Sequence, residues 1–273
     1  MPRIVTQQDI QLALRTLGLA GVPVCTHAAF RSFGAVVGGT ASLIAAFLDA
    51  QCTLLVPTFS WSFAVPPPPD QRIPQNGWHY ASYAGPTNGV GRIYTPQTIE
   101  IDADMGALAR SIVAHPEHVR GDHPLCSFSA LGADAVTLIA PQQPGDVYAP
   151  LTMLARRNGF VLLIGVGLDK LTLLHLAEKA AGRRLFRRWA NDHDGRASAV
   201  EVGGCSAGFP QLAAEVDGLI QTITVGQSTW QLLPARATLE RATAAIRANP
   251  TSTHCGAPTC ARCTDAVAGG PLL

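Results

Sequence analysis

At 273 residues, with 47% hydrophobic and 14% charged residues and a formal net charge of +1, the chain has enough apolar surface for one large α/β domain or two small ones. Near-neutrality, with neither a basic stripe nor an acidic tail, argues against nucleic acid as a partner. No apolar window of about 18 residues suggests a membrane span, since the richest stretch, Ala35 to Ala50, is broken by Gly38, Gly39, Thr40, Ser42 and Asp49.

Residues 1–18 are polar and amphipathic without the apolar centre of a signal peptide, so a cytoplasmic location is expected. The seven cysteines, an odd number, then read as thiols and small core residues rather than as a disulfide framework. Thr6 is placed to cap a helix running to about Leu17, with Gly18 and Gly21 ending it. Val22 to Cys25 is a short strand signal. It feeds THAAFRSFGAVVGG, where Gly34, Gly38 and Gly39 precede a helical pattern of Leu43, Ile44, Phe47 and Leu48. A strand, a glycine-bearing loop and a helix start can present backbone N–H groups to a phosphate or carboxylate. Glycine pairs are common in turns, and this spacing is neither GxGxxG nor a P-loop.

Thr53 to Val56 is the next buried strand, closed by Pro57. Two strands around a helix predict a right-handed βαβ unit and a mostly parallel sheet, with active residues at strand C-terminal ends. His27, Thr58 and Ser60 stand at such ends. From Pro66 to Tyr94 periodicity is lost among four consecutive prolines, Asn76-Gly77, Asn88-Gly89 and the aromatics Trp78, Tyr80 and Tyr83, which together read as a functional loop or lid. Helices are expected at Met105 to Val113, Ala133 to Ile139, Tyr148 to Arg157 and Thr238 to Arg247, and strands at Arg196 to Val202 and Thr222 to Val225. Ser206 is expected to cap a helical turn between those two strands. His115, His118, Asp122 and His123 invite a metal reading, but their spacing matches no ligand pattern, and Asp122-His123-Pro124 reads better as an ordered active-site turn. Arg183, Arg184, Arg187 and Arg188 could meet phosphates or form an exposed helix face. In the segment 251–273, His254, Cys255, Cys260 and Cys263 hold half of a zinc-ribbon signal; reduced thiols in a tail are the alternative and no metal is expected.

Gly159 to Glu178, GFVLLIGVGLDKLTLLHLAE, is the densest signal. Phe160 to Ile164 is an apolar run suited to a strand buried on both faces, Gly165 and Gly167 break it, and Asp169 precedes a helical pattern. His175 and Glu178 are three apart, hence neighbours on a helix, and a carboxylate beside an imidazole raises its basicity and fixes its tautomer. Such a pair is equipped to be a general base; a buried histidine merely satisfied by its own neighbour is the alternative.

Six stretches in one order, THAAFRSFGAVVGG, LLVPTFSW, TPQTIEIDADMGALARSI, GDHPLCSFSALGADA, the run from Tyr148 to Glu178, and GGCSAGF, resemble the aminoglycoside 3-N-acetyltransferase family, also called the antibiotic N-acetyltransferase family. The resemblance covers about His27 to Phe209. It implies a single-domain three-layer α/β/α sandwich with a mostly parallel central sheet over 1–273, acetyl-CoA as donor and a small-molecule amine as acceptor, with a homodimer left open. By position, His175 is similar to the family's catalytic base, with Glu178 in support and Asp122 and His123 at the cleft. The segment containing His27, Ser32, Phe33, Gly34, Val37, Gly38 and Gly39 resembles the part facing CoA, and Thr58 or Ser60 is a candidate donor to the thioester oxyanion. Two departures stand out: Ala28 and Ala29 occupy positions where the family carries hydroxyl residues, and the chain lacks the acidity that suits polycationic aminoglycosides. An acyltransferase acting on a less cationic amine, or a non-catalytic binding protein on the same fold, are the alternative readings.

Overall fold

The computed structural model describes residues 4–82 and 85–273, so Tyr83 lies outside the described residues. Its strands are β1 (Pro23–Ala28), β2 (Thr53–Pro57), β3 (Ala64–Val65), β4 (Val119–Arg120), β5 (Phe128–Leu131), β6 (Phe160–Ile164), β7 (Phe186–Asn191), β8 (Ala197–Val202), β9 (Gln221–Val225) and β10 (Ser228–Pro234). The helices are α1 (Gln7–Thr16), α2 (Gly39–Asp49), α3 (Gly106–Val113), α4 (Ala135–Ile139), α5 (Ala149–Arg156), α6 (Leu173–Ala180), α7 (Ala213–Val216), α8 (Ala235–Ala248) and α9 (Ala261–Val267). Thr6 caps α1 as expected, in a reciprocal box in which its hydroxyl accepts from Asp9 N and the Asp9 carboxylate accepts from Thr6 N.

A seven-stranded sheet in the order β4-β5-β2-β1-β6-β10-β9 forms the centre. At its middle, β1 pairs in parallel with β2 and β6. The remaining four pairings are antiparallel, yet five of the seven strands (β4, β2, β1, β6 and β9) run in one direction, which is the mostly parallel sheet expected from the βαβ pattern. Alternation along β6 assigns its side chains to two cores: Val161 and Leu163 face one, Leu162 and Ile164 the other. All four are fully buried, each contributing roughly 1.5–3 kcal/mol through removal of apolar surface from water. On the Leu162 side lie α1, α2 and α3; on the Leu163 side lie α4, α5, α6 and α8, giving three layers.

A second, antiparallel sheet, β3-β7-β8, packs beside the first. Its β7 corrects the reading of the arginine cluster, which is neither an exposed helix face nor a free phosphate site. Arg183 and Arg188 are buried; Arg183 sits in the turn after α6, while Arg187 and Arg188 lie within β7. Arg188 donates to Asn76 O at 3.0 Å and lays its guanidinium 3.7 Å from the Trp78 ring centre. The 66–94 segment is therefore strapped down, with Asn76 donating to Tyr80 Oη at 2.8 Å and to Arg187 O at 3.0 Å. Trp78 and Tyr80 meet edge-on, and Trp78 is held to β7 through Arg188. The 251–273 segment is folded too: α9 holds Asp265, whose carboxylate accepts from Gly77 N at 2.7 Å.

Candidate active site

Strand β6 is followed by Gly165, whose backbone is left-handed (φ +61°) and whose missing side chain makes room for Ser32: a Cβ there would lie 2.1 Å from the Ser32 hydroxyl. The chain passes through a short turn at Leu168–Lys170 and enters α6. His175 and Glu178 meet on one face of α6, with Nδ1 of the imidazole 2.8 Å from Oε2 of the carboxylate. Both are buried. The other carboxylate oxygen, Oε1, accepts from Arg183 Nη1 at 2.5 Å and from Thr253 Oγ1 at 3.0 Å. Arg183 also donates to Thr253 Oγ1 at 2.7 Å and to Pro250 O. A carboxylate held by this many donors is fixed in orientation.

With Nδ1 committed to Glu178, the imidazole is the Nδ1–H tautomer, and its lone pair sits on Nε2, which takes no hydrogen bond among the described residues. The ring is held flat by its neighbours. Tyr148 stacks on it at 5.9 Å with 8° between the planes, and Phe209 meets it edge-on at 4.7 Å. Gly203 closes the remaining side: a Cβ there would lie 2.3 Å from Tyr148 Oη and 2.7 Å from His175 Cδ2. Burial holds the Tyr148 phenol well above its ordinary pKa, so it stays neutral beside the imidazole.

A cleft of about 800 Å³ opens at the C-terminal ends of β1, β2 and β6. Its walls are Thr26 to Arg31, Val56 and Pro57, Ala103 to Ala109, Gly165, Val166 and Lys170. His27 lies on this wall as the strand-end argument expects. Its pKa is lowered by burial to about 4, so it is neutral at pH 7. Arg31 and Lys170 are exposed cations on the rim, with Asp104 opposite in sign.

The other residues predicted to face CoA are not among those walls. Phe33 is fully buried, meeting Trp230 edge-on at 5.9 Å, because its apolar ring belongs to the core on the α1–α2 side. Ser32 Oγ is spent on Ser228 Oγ at 2.7 Å. Gly34, Val37, Gly38 and Gly39 form the turn into α2; Gly38 and Gly39 have φ of +72° and +63°, which only glycine adopts readily.

Thr58 and Ser60 are fully buried at the end of β2 and their hydroxyls are committed. Thr58 Oγ1 bonds Ser127 O and Ser129 Oγ, and Ser60 Oγ donates to Pro124 O while accepting from Arg120. They belong to a network around the buried Arg120, which also donates to Thr58 O at 2.7 Å and Ser127 Oγ at 3.0 Å. Asp122 and His123 part company. Asp122 is half-exposed, 3.6 Å from His193, and lines a separate small pocket of about 70 Å³. His123 is fully buried with both ring nitrogens used: Nδ1 accepts from Leu125 N and Cys126 N, and Nε2 donates to Glu201 O at 2.8 Å. Burial lowers its pKa to about 4, so it serves as a neutral brace that orders the turn.

Sequence reasoning missed Tyr148, Gly203, Phe209 and Thr253 around the imidazole and Arg31 and Lys170 at the cleft. The Gly203-Gly204 pair was the one local signal, since paired glycines mark close backbone approach. The structure also gathers Cys205 with Cys255, Cys260 and Cys263, and leaves His254 out of that group.

Residues 26–247 match the family model described as aminoglycoside 3-N-acetyltransferase. The aminoglycoside N(3)-acetyltransferase IX of Micromonospora chalcea is 37% identical over 190 residues, covering 67% of this chain and 65% of that protein. The match thus spans just under two thirds of that relative's length. In structure, a mutant of aminoglycoside acetyltransferase AAC(3)-IVa in complex with a gentamicin superposes with a TM-score of 0.79 at 23% identity, covering 98% of this chain and 99% of that one. The binary complex of AAC-IIIb with CoASH superposes with a TM-score of 0.69 at 24% identity, covering 90% and 97% of the two chains. At these identities the two structures establish a shared fold.

Proposed function

Because the chain belongs to the aminoglycoside 3-N-acetyltransferase family, we propose that it moves an acetyl group from acetyl-CoA to the 3-amino group of an aminoglycoside, with His175 as general base and Glu178 as its orienting partner. The observation that carries this reading is the buried His175–Glu178 pair, with Nδ1 bonded and the Nε2 lone pair left for a proton. An ammonium has no lone pair with which to attack, so a base must hold the amine's proton as the new bond forms. The amine nitrogen attacks the thioester carbonyl carbon, the C–N bond forms, and His175 Nε2 takes the proton from nitrogen. Collapse of the tetrahedral intermediate breaks the C–S bond and releases CoA as its thiolate, to which the imidazolium returns the proton.

The cleft at the ends of β1, β2 and β6 is the site we assign to CoA, with Arg31 and Lys170 on its rim as counter-charges for phosphates. Thr58 and Ser60 have no hydroxyl proton to spare, so backbone N–H groups are the donor class for the oxyanion. Asp104 on the cleft and Asp122 beside its small pocket are exposed carboxylates of the right sign for an aminoglycoside's ammonium groups.

Release of free thiol from acetyl-CoA, measured with a panel of aminoglycosides and simple amines, tests the acceptor, and NMR of the product tests the position. Turnover confined to non-aminoglycoside amines would overturn the acceptor assignment. His175→Ala is expected to lower kcat by roughly 100- to 10,000-fold with little change in CoA affinity, and Glu178→Gln to be milder. Undiminished turnover in His175→Ala would remove it as the base.

A further inference from the structure

We infer that Cys205, Cys255, Cys260 and Cys263 form a closed four-thiolate site for a structural zinc ion, which locks the C-terminal segment onto the catalytic face. The four sulfurs, drawn from the loop after β8, the loop before α9 and α9 itself, all lie within 4.8 Å of one another. A tetrahedral ZnS₄ centre with Zn–S bonds of about 2.3 Å has sulfur–sulfur edges of roughly 3.8 Å, so a contraction of no more than about 1 Å per pair completes the geometry. All four are free cysteines.

A second observation points to a ligand. A backbone N–H group is aimed into the cluster. Cys255 N donates to Cys263 Sγ at 3.3 Å. Directly after Cys255 the chain turns at Gly256, which takes the left-handed conformation (φ +83°). An N–H donated to sulfur favours the thiolate, the form in which cysteine binds a dication.

The ligand set excludes His254, whose Nδ1 accepts from Gly256 N at 3.0 Å instead. All-sulfur tetrahedral coordination selects zinc or iron, and with no open position the site is structural. Its placement gives it a task. Cys255 follows Thr253, which donates to Glu178, by two residues, and Cys205 follows Gly203, which walls His175, by two residues. Zinc would therefore tie together two segments that immobilise the base, and through Asp265 on α9 it would also hold the 66–94 strap at Gly77.

Full-length protein produced in zinc-supplemented medium is expected to carry about one zinc per chain by elemental analysis. Cys205→Ser and Cys263→Ser should lose it, while His254→Ala keeps it. Because a serine variant can also fail to fold, the parent protein is tested directly. Alkylation mapped by mass spectrometry should spare these four cysteines until a chelator is added, and cobalt titration of the metal-free protein should give thiolate charge-transfer and tetrahedral d–d bands saturating at one equivalent. Zinc-free protein with these cysteines freely alkylated or joined as disulfides would overturn the inference. So would iron in place of zinc, or loss of metal on His254→Ala with retention on Cys205→Ser.

Discussion

Gly203→Ala isolates the positioning of the proposed base from its chemistry. The added methyl carbon would lie 2.3 Å from Tyr148 Oη and 2.7 and 2.8 Å from Cδ2 and Cγ of His175. Ordinary carbon contacts are about 3.5–4.0 Å, so the imidazole, the phenol or the loop must retreat by roughly 1 Å. Gly203 does not have the left-handed backbone that only glycine favours, so the effect is one of space alone. Glu178 is pinned by Arg183 and Thr253 and resists following, which leaves the ring to tilt about its Nδ1 tether. A 1 Å misplacement of a reacting group costs about 100-fold in rate, and overpacking of this kind costs about 1–3 kcal/mol of stability. The walls of the cleft we assign to CoA come from other segments, so KM for acetyl-CoA should hold while kcat falls. Thiol-release kinetics, run beside a thermal melt to establish that the variant is folded, provide the assay. A folded Gly203→Ala protein with kcat equal to the parent's would refute the claim that this glycine sets the ring's position.

Thr253→Val keeps the shape and removes the hydroxyl that donates to Glu178 and accepts from Arg183; hydrogen bonds to charged groups contribute about 1.5–3 kcal/mol each, so urea unfolding should show a loss of that order with a fall in kcat smaller than that of Glu178→Gln, and unchanged values for both would discredit the clamp. Acid should destabilise the fold before its carboxylates titrate. His27 and His123 both have folded-state pKa values lowered to about 4 by burial, so their neutral forms stabilise the native state fully above about pH 6.5, the unfolded value. As pH falls from there towards 4 the unfolded chain takes up protons first, withdrawing about 1.4 kcal/mol per histidine per pH unit. A urea midpoint that stays constant from pH 7 to pH 5 would contradict this.

What could be read from the residues follows the range of the forces involved. Strand β6 was legible because a strand covered on both faces must be apolar along its whole length, as Phe160 to Ile164 is. His175 and Glu178 were legible because three residues on a helix bring them together without help from the rest of the chain. Strand β7 was hidden: FRRWAN carries two arginines, and Arg188 is held in the interior in part by Asn76 and Trp78, which arrive from more than a hundred residues away. Thr58 and Ser60 stand at a strand end, where active residues gather, but Arg120 and the neighbouring β5 claim their hydroxyls first. The cysteine group shows the same limit, since Cys260 and Cys263 advertise themselves by spacing whereas Cys205 is brought in by tertiary structure alone.

Arg183 changes what the His175–Glu178 pair means. Taken alone, a buried carboxylate against an imidazole is an ion pair in waiting, and its charge is as important as its geometry. Here Arg183 reaches the far oxygen, so within the cluster the carboxylate's charge is already matched by a guanidinium at 2.5 Å. What Glu178 then offers His175 is chiefly direction: an acceptor at 2.8 Å that fixes which nitrogen carries the proton and where the other points. The other two partners of that arginine, Thr253 Oγ1 and Pro250 O, lie beyond residue 247, where the family match stops. The proposed catalytic pair is thus local in sequence, but the groups that anchor its arginine come from the C-terminal segment, where Cys255 follows Thr253 by two residues.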